Sequence, residues 1–102
     1  MDKLDKNGYA PSIIQTDLSY CYLCGRRDRK LDRHEVFGAS NRQKSKEDGL
    51  WVMLCHDECH LNGVHAKRNL REQLSQIAQA RAMKEYGWDT DDFIREFGKN
   101  WL

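Results

Sequence analysis

The sequence predicts a small α+β domain with an extended segment at its N-terminal end and helices at its C-terminal end. Short apolar stretches of strand length lie in the middle of the chain, and apolar residues recur at helical spacing only after residue 65. Four cysteines fall into two close pairs that are thirty residues apart. A chain of 102 residues forms one domain, and a core of that size is marginal without a cross-link.

Residues 1–18 are interpreted as an extended lead-in, and residues 19–102 as a single domain. The lead-in has scattered apolar positions and Pro11, the only proline of the chain. Three short apolar stretches are predicted to be strands: residues 19–23, 31–37 and 50–54. Residues 38–49 are polar and rich in turn formers, so they are predicted to form a loop.

Two helices are predicted in the last third of the chain. The longer one covers residues 66–86 and ends at Gly87. Its apolar positions at helical spacing are Leu70, Leu74, Ile77 and Ala78. The shorter one is predicted to begin with Thr90 as its N-cap, to carry acidic residues in its first turn and to end at Gly98.

The composition favours a cytoplasmic protein. Charged residues make up 32% of the chain, the mean hydropathy is −0.88, and no apolar run is long enough to span a membrane. Residues 1–6 lack the apolar stretch of a signal peptide. We therefore expect a reducing compartment and no membrane partner. Disulfides are disfavoured there, so paired cysteines indicate metal ligands or redox groups.

The two cysteine pairs predict a structural zinc site. Zinc binds four ligands in a tetrahedron, and a Cys-x-x-Cys turn directs two thiolates to one ion. Cys21 and Cys24 have this spacing, whereas Cys55 and Cys59 are separated by three residues, which is still within the range of structural zinc sites. Four cysteines are the first choice of ligands, and a Cys3His site with a neighbouring histidine is the alternative. A thioredoxin-like redox pair is disfavoured because a second matching pair is present.

Basic residues are concentrated in the region of the cysteines. Residues 26–71 contain eleven Lys or Arg against seven Asp or Glu, whereas the rest of the chain contains six against nine. A local positive field of this kind favours nucleic-acid binding, and a solvated charged surface is the alternative.

The chain between residues 21 and 65 resembles the HNH, or ββα-metal, nucleases. Members of this family have a Cys-x-x-Cys pair, a strand that ends in a His-His or Asp-His pair, a polar loop, a second strand, and a Leu-Cys-x-x-Cys-His segment that opens a helix. The matching segments here are residues 21–24, 34–38 and 54–60. Small HNH proteins of phages and prophages are also similar at residues 41–42, 49–52, 63–65 and 97–102.

The resemblance implies a zinc-stabilised ββα-metal core over residues 19–70 and a helical extension over residues 71–102. It also implies a second, catalytic divalent ion, which would be Mg²⁺, Mn²⁺, Ni²⁺ or Zn²⁺. His34 from the first strand and His60 and His65 from the following helix would hold that ion. His60 is also adjacent to Cys59 and is an alternative zinc ligand.

The general base is left open between His34 and Glu35. Many family members have a histidine where this chain has Glu35. Either His34 binds the ion and Glu35 is the base, or His34 is the base and Glu35 binds an ion that prefers oxygen. The middle asparagine of the family is also missing from its usual place, and Asn41 is the catalytic candidate, with Asn62 as the alternative.

The resemblance implies a metal-dependent endonuclease that hydrolyses DNA phosphodiester bonds by nicking or double-strand cutting, encoded by a phage or prophage and active in the bacterial host. The predicted phosphate contacts are Arg33, Arg42, Lys44, Lys46, Lys67 and Arg68. A phage packaging or recombination protein is the expected partner besides DNA, and the chain is expected to be a monomer or weak dimer. The alternatives are a zinc-stabilised DNA-binding module without catalysis and a protein adaptor.

Overall fold

The computed structural model describes residues 4–102. Within this part of the chain the regular elements are two strands, three α-helices and two irregular helices. In chain order they are β1 (Leu31–Glu35), a 3-10 turn (Ala39–Asn41), α1 (Arg42–Glu47), β2 (Trp51–Cys55), a π-helix (His56–Val64), α2 (Arg68–Tyr86) and α3 (Thr90–Phe97). The architecture is therefore α+β, as the sequence predicts.

The two strands form an antiparallel sheet in which Leu31 lies opposite Cys55 and Glu35 lies opposite Trp51. Side chains alternate between the faces of a strand. Asp32 and His34 therefore share one face of β1, and Arg33 and Glu35 share the other. This alternation decides which residues of β1 can meet the helices that follow β2.

The core joins β2 to α2 and α3. Its members on β2 are almost inaccessible to solvent, and so are the aromatic residues of α3 and the apolar stripe of α2. The buried core residues of these three elements are Val52, Leu54, Cys55, Leu74, Ala78, Ala82, Phe93 and Phe97. Burying this face of α2 against the sheet fixes the helix beside the end of β1.

The first predicted strand is not formed, because residues 19–23 lead into a tight turn. The N–H of Cys21 donates to the carbonyl of Arg26, and the N–H of Gly25 donates to the carbonyl of Cys21. A single bond from the N–H of Tyr22 to the carbonyl of Met53 ties this turn to β2. The close spacing of two cysteines favours a turn here over an extended strand.

The other predicted boundaries shift by a few residues. β1 ends at Glu35 because Val36 and Phe37 turn into the core, and the predicted loop contains α1, whose Ser45 hydroxyl bonds the backbone of Phe37. The N-cap of α3 is Asp89 rather than Thr90, since the Asp89 carboxylate accepts from the N–H of Asp92. α2 ends at Tyr86 before Gly87, as predicted, and begins later than predicted because the π-helix comes first.

The lead-in from residue 4 to residue 18 contains no helix or strand and packs against β2. The Ser12 hydroxyl donates to the carbonyl of Trp51 at 2.6 Å, and the Trp51 indole N–H donates to the carbonyl of Ala10 at 2.8 Å. Residues 1–3 of the predicted lead-in lie outside the described residues. Among residues 4–102 there is no helix long and apolar enough to cross a membrane.

Candidate metal centres

The four cysteines converge into one cluster that could hold a metal ion. Their sulfurs all lie within 4.8 Å of one another, and Cys24 Sγ is 3.8 Å from Cys55 Sγ. Four sulfurs at about 2.3 Å from a tetrahedral ion are about 3.8 Å apart, whereas a disulfide would need about 2 Å. All four cysteines are free thiols. The residues therefore fit a structural metal ion.

The local structure explains how the longer second pair reaches the cluster. Cys55 is the last residue of β2, and Cys59 lies in the first turn of the π-helix that begins at His56. The two histidines that could replace a cysteine, His56 and His60, are directed to Asp32 instead. Among the alternatives left open by the sequence, the geometry favours four cysteine ligands over a Cys3His set.

The thiols differ in their ease of ionisation. Burial raises the pKa of Cys21, but N–H groups of Cys24 and Cys55 directed at its sulfur outweigh that effect and bring the pKa to about 7. Burial and the neighbouring thiols raise the pKa of Cys59 well above its usual range. Thiolates are the form of cysteine that binds metal ions. A bound cation would therefore offset the cost of ionising these buried thiols.

Three histidines form a second cluster on the other side of the π-helix. The ring nitrogens of His34, His60 and His65 all lie within 4.8 Å of one another, and Nε2 of His60 is 3.0 Å from Nε2 of His65. This cluster contains a residue from β1 and two from the segment after β2. It fits one divalent cation with imidazole ligands, which suit zinc, nickel and related metals.

The π-helix accounts for the five-residue spacing of His60 and His65. The N–H of His65 donates to the carbonyl of His60 at 3.1 Å. In a π-helix, residues five apart bond to each other and lie one above the other, whereas an α-helix would need a spacing of four. The one sequence signal for this turn is Gly63, which is buried and packs closely against the carbonyl of Glu58.

Asp32 orients the histidine cluster and was not identified from the sequence. Its Oδ2 accepts from Nδ1 of His60 at 2.9 Å and from Nδ1 of His56 at 2.6 Å. Because an ionised carboxylate can only accept, the proton of His60 is on Nδ1 and the lone pair of Nε2 faces the cluster. A carboxylate behind a ligating histidine is a recurring feature of metal sites.

Two of the clustered histidines, His34 and His65, have lowered pKa values. Burial, together with the nearby His60 and His65, lowers the pKa of His34 to about 4. Burial also lowers the pKa of His65, with smaller contributions from His60 and Arg71. Neutral imidazole is the form that binds metal ions, so both shifts favour cation binding.

The cluster lies in an open groove of about 630 Å³ that runs past the end of β1. Three arginines line this groove: Arg33, Arg42 and Arg71. Arg71 was not among the phosphate contacts predicted from the sequence. Its guanidinium donates to the carbonyl of Val64 at 2.9 Å, which holds the charge beside the π-helix.

Glu35 also lines the groove, but its carboxylate is already bonded on both oxygens. Tyr9 donates from its hydroxyl to Oε2 at 2.5 Å, and Nε of Arg42 donates to Oε1 at 2.7 Å. Burial and then the bond to Glu35 raise the pKa of Tyr9 to about 12. Glu35 is thus directed towards the lead-in, while its neighbour His34 is directed towards the histidine cluster.

The predicted phosphate contacts do not form one surface. Arg33 lines the groove, but it donates to Asp5 at 2.8 Å and lies over the rings of Tyr9 and Trp51. Lys44 donates to the carbonyl of Glu96, Lys46 lies over the Tyr9 ring, and Arg68 pairs with Glu72. Lys67 precedes α2 as its N-cap residue. Of the six predicted contacts, only Arg33 and Arg42 line the groove.

Asn41, the asparagine predicted to be catalytic, has a structural contact. Its side-chain amide donates to the carbonyl of Phe97 at 2.9 Å, so it ties the start of α1 to the end of α3. It does not line the groove that holds the histidines. An asparagine at such a boundary between a turn and a helix often bonds to backbone groups, as Asn41 does here.

Comparison of the chain with protein-family models, with curated proteins and with solved structures gave no match. The two side-chain clusters and the groove are therefore the basis for a functional assignment. Each cluster could hold a metal ion.

Proposed function

We propose that this protein is a metal-dependent DNA endonuclease of the HNH type. The observation that carries the proposal is the convergence of His34, His60 and His65 in an open groove that arginines line. The order of the elements supports it, since two antiparallel strands are followed by a helix, with a separate thiol cluster at the strand ends. In this proposal the four cysteines hold a structural Zn²⁺, and the three histidines hold a catalytic divalent ion.

A divalent ion held by these histidines would stabilise the negative charge that develops on the scissile phosphate and on the departing 3′ oxygen. The arginines of the groove would bind the phosphates on either side and orient the strand. Arg33, Arg42 and Arg71 have guanidinium groups suited to this, because a planar fork binds phosphate oxygens in pairs.

Of the two arrangements left open by the sequence, we propose His34 as a ligand and Glu35 as the base. His34 lies among the other histidines, which supports its role as a ligand. Glu35 is bonded to Tyr9 and Arg42, but it lines the same groove as the histidines. In the proposed reaction, a Glu35 oxygen accepts a proton from the attacking water as the water oxygen bonds phosphorus. The bond from phosphorus to the 3′ oxygen breaks at the same time, and the departing 3′ oxygen takes a proton from solvent water. Substrate phosphate competes for Arg42 and so releases Oε1 for this role.

Plasmid nicking by the zinc-loaded protein in Mg²⁺, Mn²⁺ or Ni²⁺ tests the proposal. We expect His34→Ala and Glu35→Gln to reduce nicking by at least about a hundredfold, the scale of a lost acid–base or charge-stabilising group. His56→Ala and Glu85→Gln are matched controls, because neither residue belongs to the histidine cluster. Nicking by His34→Ala at the wild-type rate would exclude this site as the catalytic centre.

A zinc-stabilised DNA-binding module without catalysis is the second candidate. Two observations favour it: both oxygens of Glu35 are bonded, and Asn41 is turned away from the groove. Wild-type protein that binds DNA but nicks it in none of the three metals would support this candidate. In either case a phage packaging or recombination protein is the proposed source of sequence specificity.

A further inference from the structure

A second cavity of about 340 Å³ continues from the histidine groove along the side of α2. The two share three lining residues, Val36, Gly38 and Arg71, so they adjoin each other. Arg71 lies at the junction. None of the lining residues of the second cavity, all within residues 4–102, is acidic, and two of them are cationic: Arg71 and Lys99.

Arg71 is held so that it can serve both cavities. It is bonded to the carbonyl of Val64, which uses one of the five N–H donors of the guanidinium. Ser75 lies one helical turn further along α2 and also lines the second cavity. The charge is thus fixed between the histidine cluster and the second cavity by a helix that is packed into the core.

Lys99 lies on the opposite wall, in the segment that follows α3. Its ammonium is 4.0 Å from the centre of the Trp101 ring. Trp101 is itself fixed to α2, because its N–H donates to Gln79 Oε1 at 2.7 Å and its carbonyl accepts from Gln76 at 3.0 Å. The wall that carries Lys99 is therefore part of the folded domain.

The floor of the second cavity is apolar and aromatic. Phe37 and Phe97 line it, with their ring centres 4.9 Å apart. Cationic walls over an apolar floor suit a nucleotide unit, whose phosphate needs charge and whose sugar and base need apolar contact. A free mononucleotide would occupy the second cavity alone, whereas a DNA strand would occupy both this cavity and the adjoining histidine groove.

We propose that the second cavity binds the nucleotide next to the scissile phosphate, and that Arg71 and Lys99 hold its phosphate. The proposal depends on the proposed DNA substrate and deepens it, since it gives the strand a path from the histidine cluster along α2. Arg71 and Lys99 are thereby substrate-positioning residues.

Fluorescence anisotropy with a short single-stranded DNA oligonucleotide tests this path without any cleavage. The zinc-loaded protein is titrated in the absence of Mg²⁺, Mn²⁺ and Ni²⁺, at several salt concentrations. Each lost phosphate contact lowers the slope of log affinity against log salt by about 0.7, which is about fivefold in affinity at 0.1 M salt. We expect this loss for Lys99→Ala and for Arg71→Ala.

Arg95→Ala is the matched control, because Arg95 is on the neighbouring helix α3, pairs with Asp92 and lines neither cavity. It is expected to bind with the wild-type slope. Lys99→Ala removes no side-chain hydrogen bond among residues 4–102. The binding result for Lys99→Ala therefore stands even if Arg71→Ala fails to fold. Wild-type slopes for both Lys99→Ala and Arg71→Ala would overturn the proposal.

The binding test of the second cavity and the nicking test of the nuclease proposal can fail independently of each other. If the wild-type protein nicks no plasmid but both variants lose salt slope, the second cavity still binds the strand, as part of a binding module. If the wild-type protein nicks and both variants bind and nick like it, the path along α2 is wrong and the nuclease proposal stands.

Discussion

The Asp32 carboxylate accepts a hydrogen bond from Nδ1 of His60, and the opposite nitrogen of that ring lies 3.0 Å from His65. This pair joins the first strand to the π-helix. It fixes the tautomer of His60 and its ring orientation before any cation arrives. The geometry of the histidine cluster thus depends on a residue that neither binds the cation nor lines the groove.

Asp32→Asn should weaken metal binding at the histidine cluster by about 10- to 100-fold, because the amide no longer accepts from His60 as a carboxylate does. Titration of the zinc-loaded protein with Co²⁺, followed by its visible absorption, measures this affinity. Asp57→Asn is the control, since Asp57 is exposed and has no bond to His60. Equal Co²⁺ affinity for wild type and Asp32→Asn would show that the Asp32 bond is structural only.

Cys21→Ser should abolish zinc binding and cooperative folding. Structural zinc contributes about 10–16 kcal/mol of apparent binding free energy, which is as large as the whole stability of a typical domain. His60→Ala should keep one zinc per chain, because His60 is outside the cysteine cluster. Native mass spectrometry and thermal unfolding measure both. Loss of zinc from His60→Ala would instead indicate a Cys3His site.

The cysteine and histidine ligand candidates could be predicted from the sequence, because metal ligands occur at short, regular spacings. The structure brings all four cysteines into one cluster and the three named histidines into another. Asp32 could not be predicted in the same way. Its partner is 28 residues away, and the pairing depends on the register of β1 and on the π-helix.

The phosphate contacts remain predictions, and the structure adds what several of these basic side chains contact. Net charge along the sequence does not reveal that Arg33 is paired with Asp5, or that Lys44 is bonded to the carbonyl of Glu96. Arg71 could not be predicted in the same way. The side of α2 that faces the groove depends on the residue at which α2 begins, and the preceding π-helix sets that residue. The turn at residues 21–24 was mistaken in part for a strand because Tyr20 and Tyr22 have high strand propensity.

Tyr9 should ionise at a higher pH than an ordinary tyrosine does. Its pKa of about 12 is above the ordinary value, so its contribution to stability is complete below about pH 10 and is lost as the pH rises through 12. The difference between the near-ultraviolet titrations of wild type and Tyr9→Phe should be centred near pH 12. For the proteins unfolded in denaturant, the difference between the titrations of wild type and Tyr9→Phe should be centred near pH 10. A native difference centred near pH 10 would mean that Tyr9 does not contact Glu35.

Gly49→Ala should destabilise the domain more than Gly87→Ala does. Both glycines have a positive φ, which costs an alanine about 1–2 kcal/mol. A Cβ at position 49 would also meet the Pro11 carbonyl oxygen at 2.3 Å, whereas position 87 is open. Denaturant unfolding of the zinc-loaded variants measures the two losses. Equal losses would contradict the close packing of the lead-in against Gly49.

The central claim is that the histidine cluster, and not the cysteine cluster, is the catalytic centre. Plasmid nicking by His60→Ala and His56→Ala tests it most directly, because both histidines are bonded to Asp32 and only His60 belongs to the cluster. With zinc retained in both variants and Mn²⁺ supplied, His60→Ala should lose nicking while His56→Ala keeps most of it. Nicking by His60→Ala at the wild-type rate would contradict the claim.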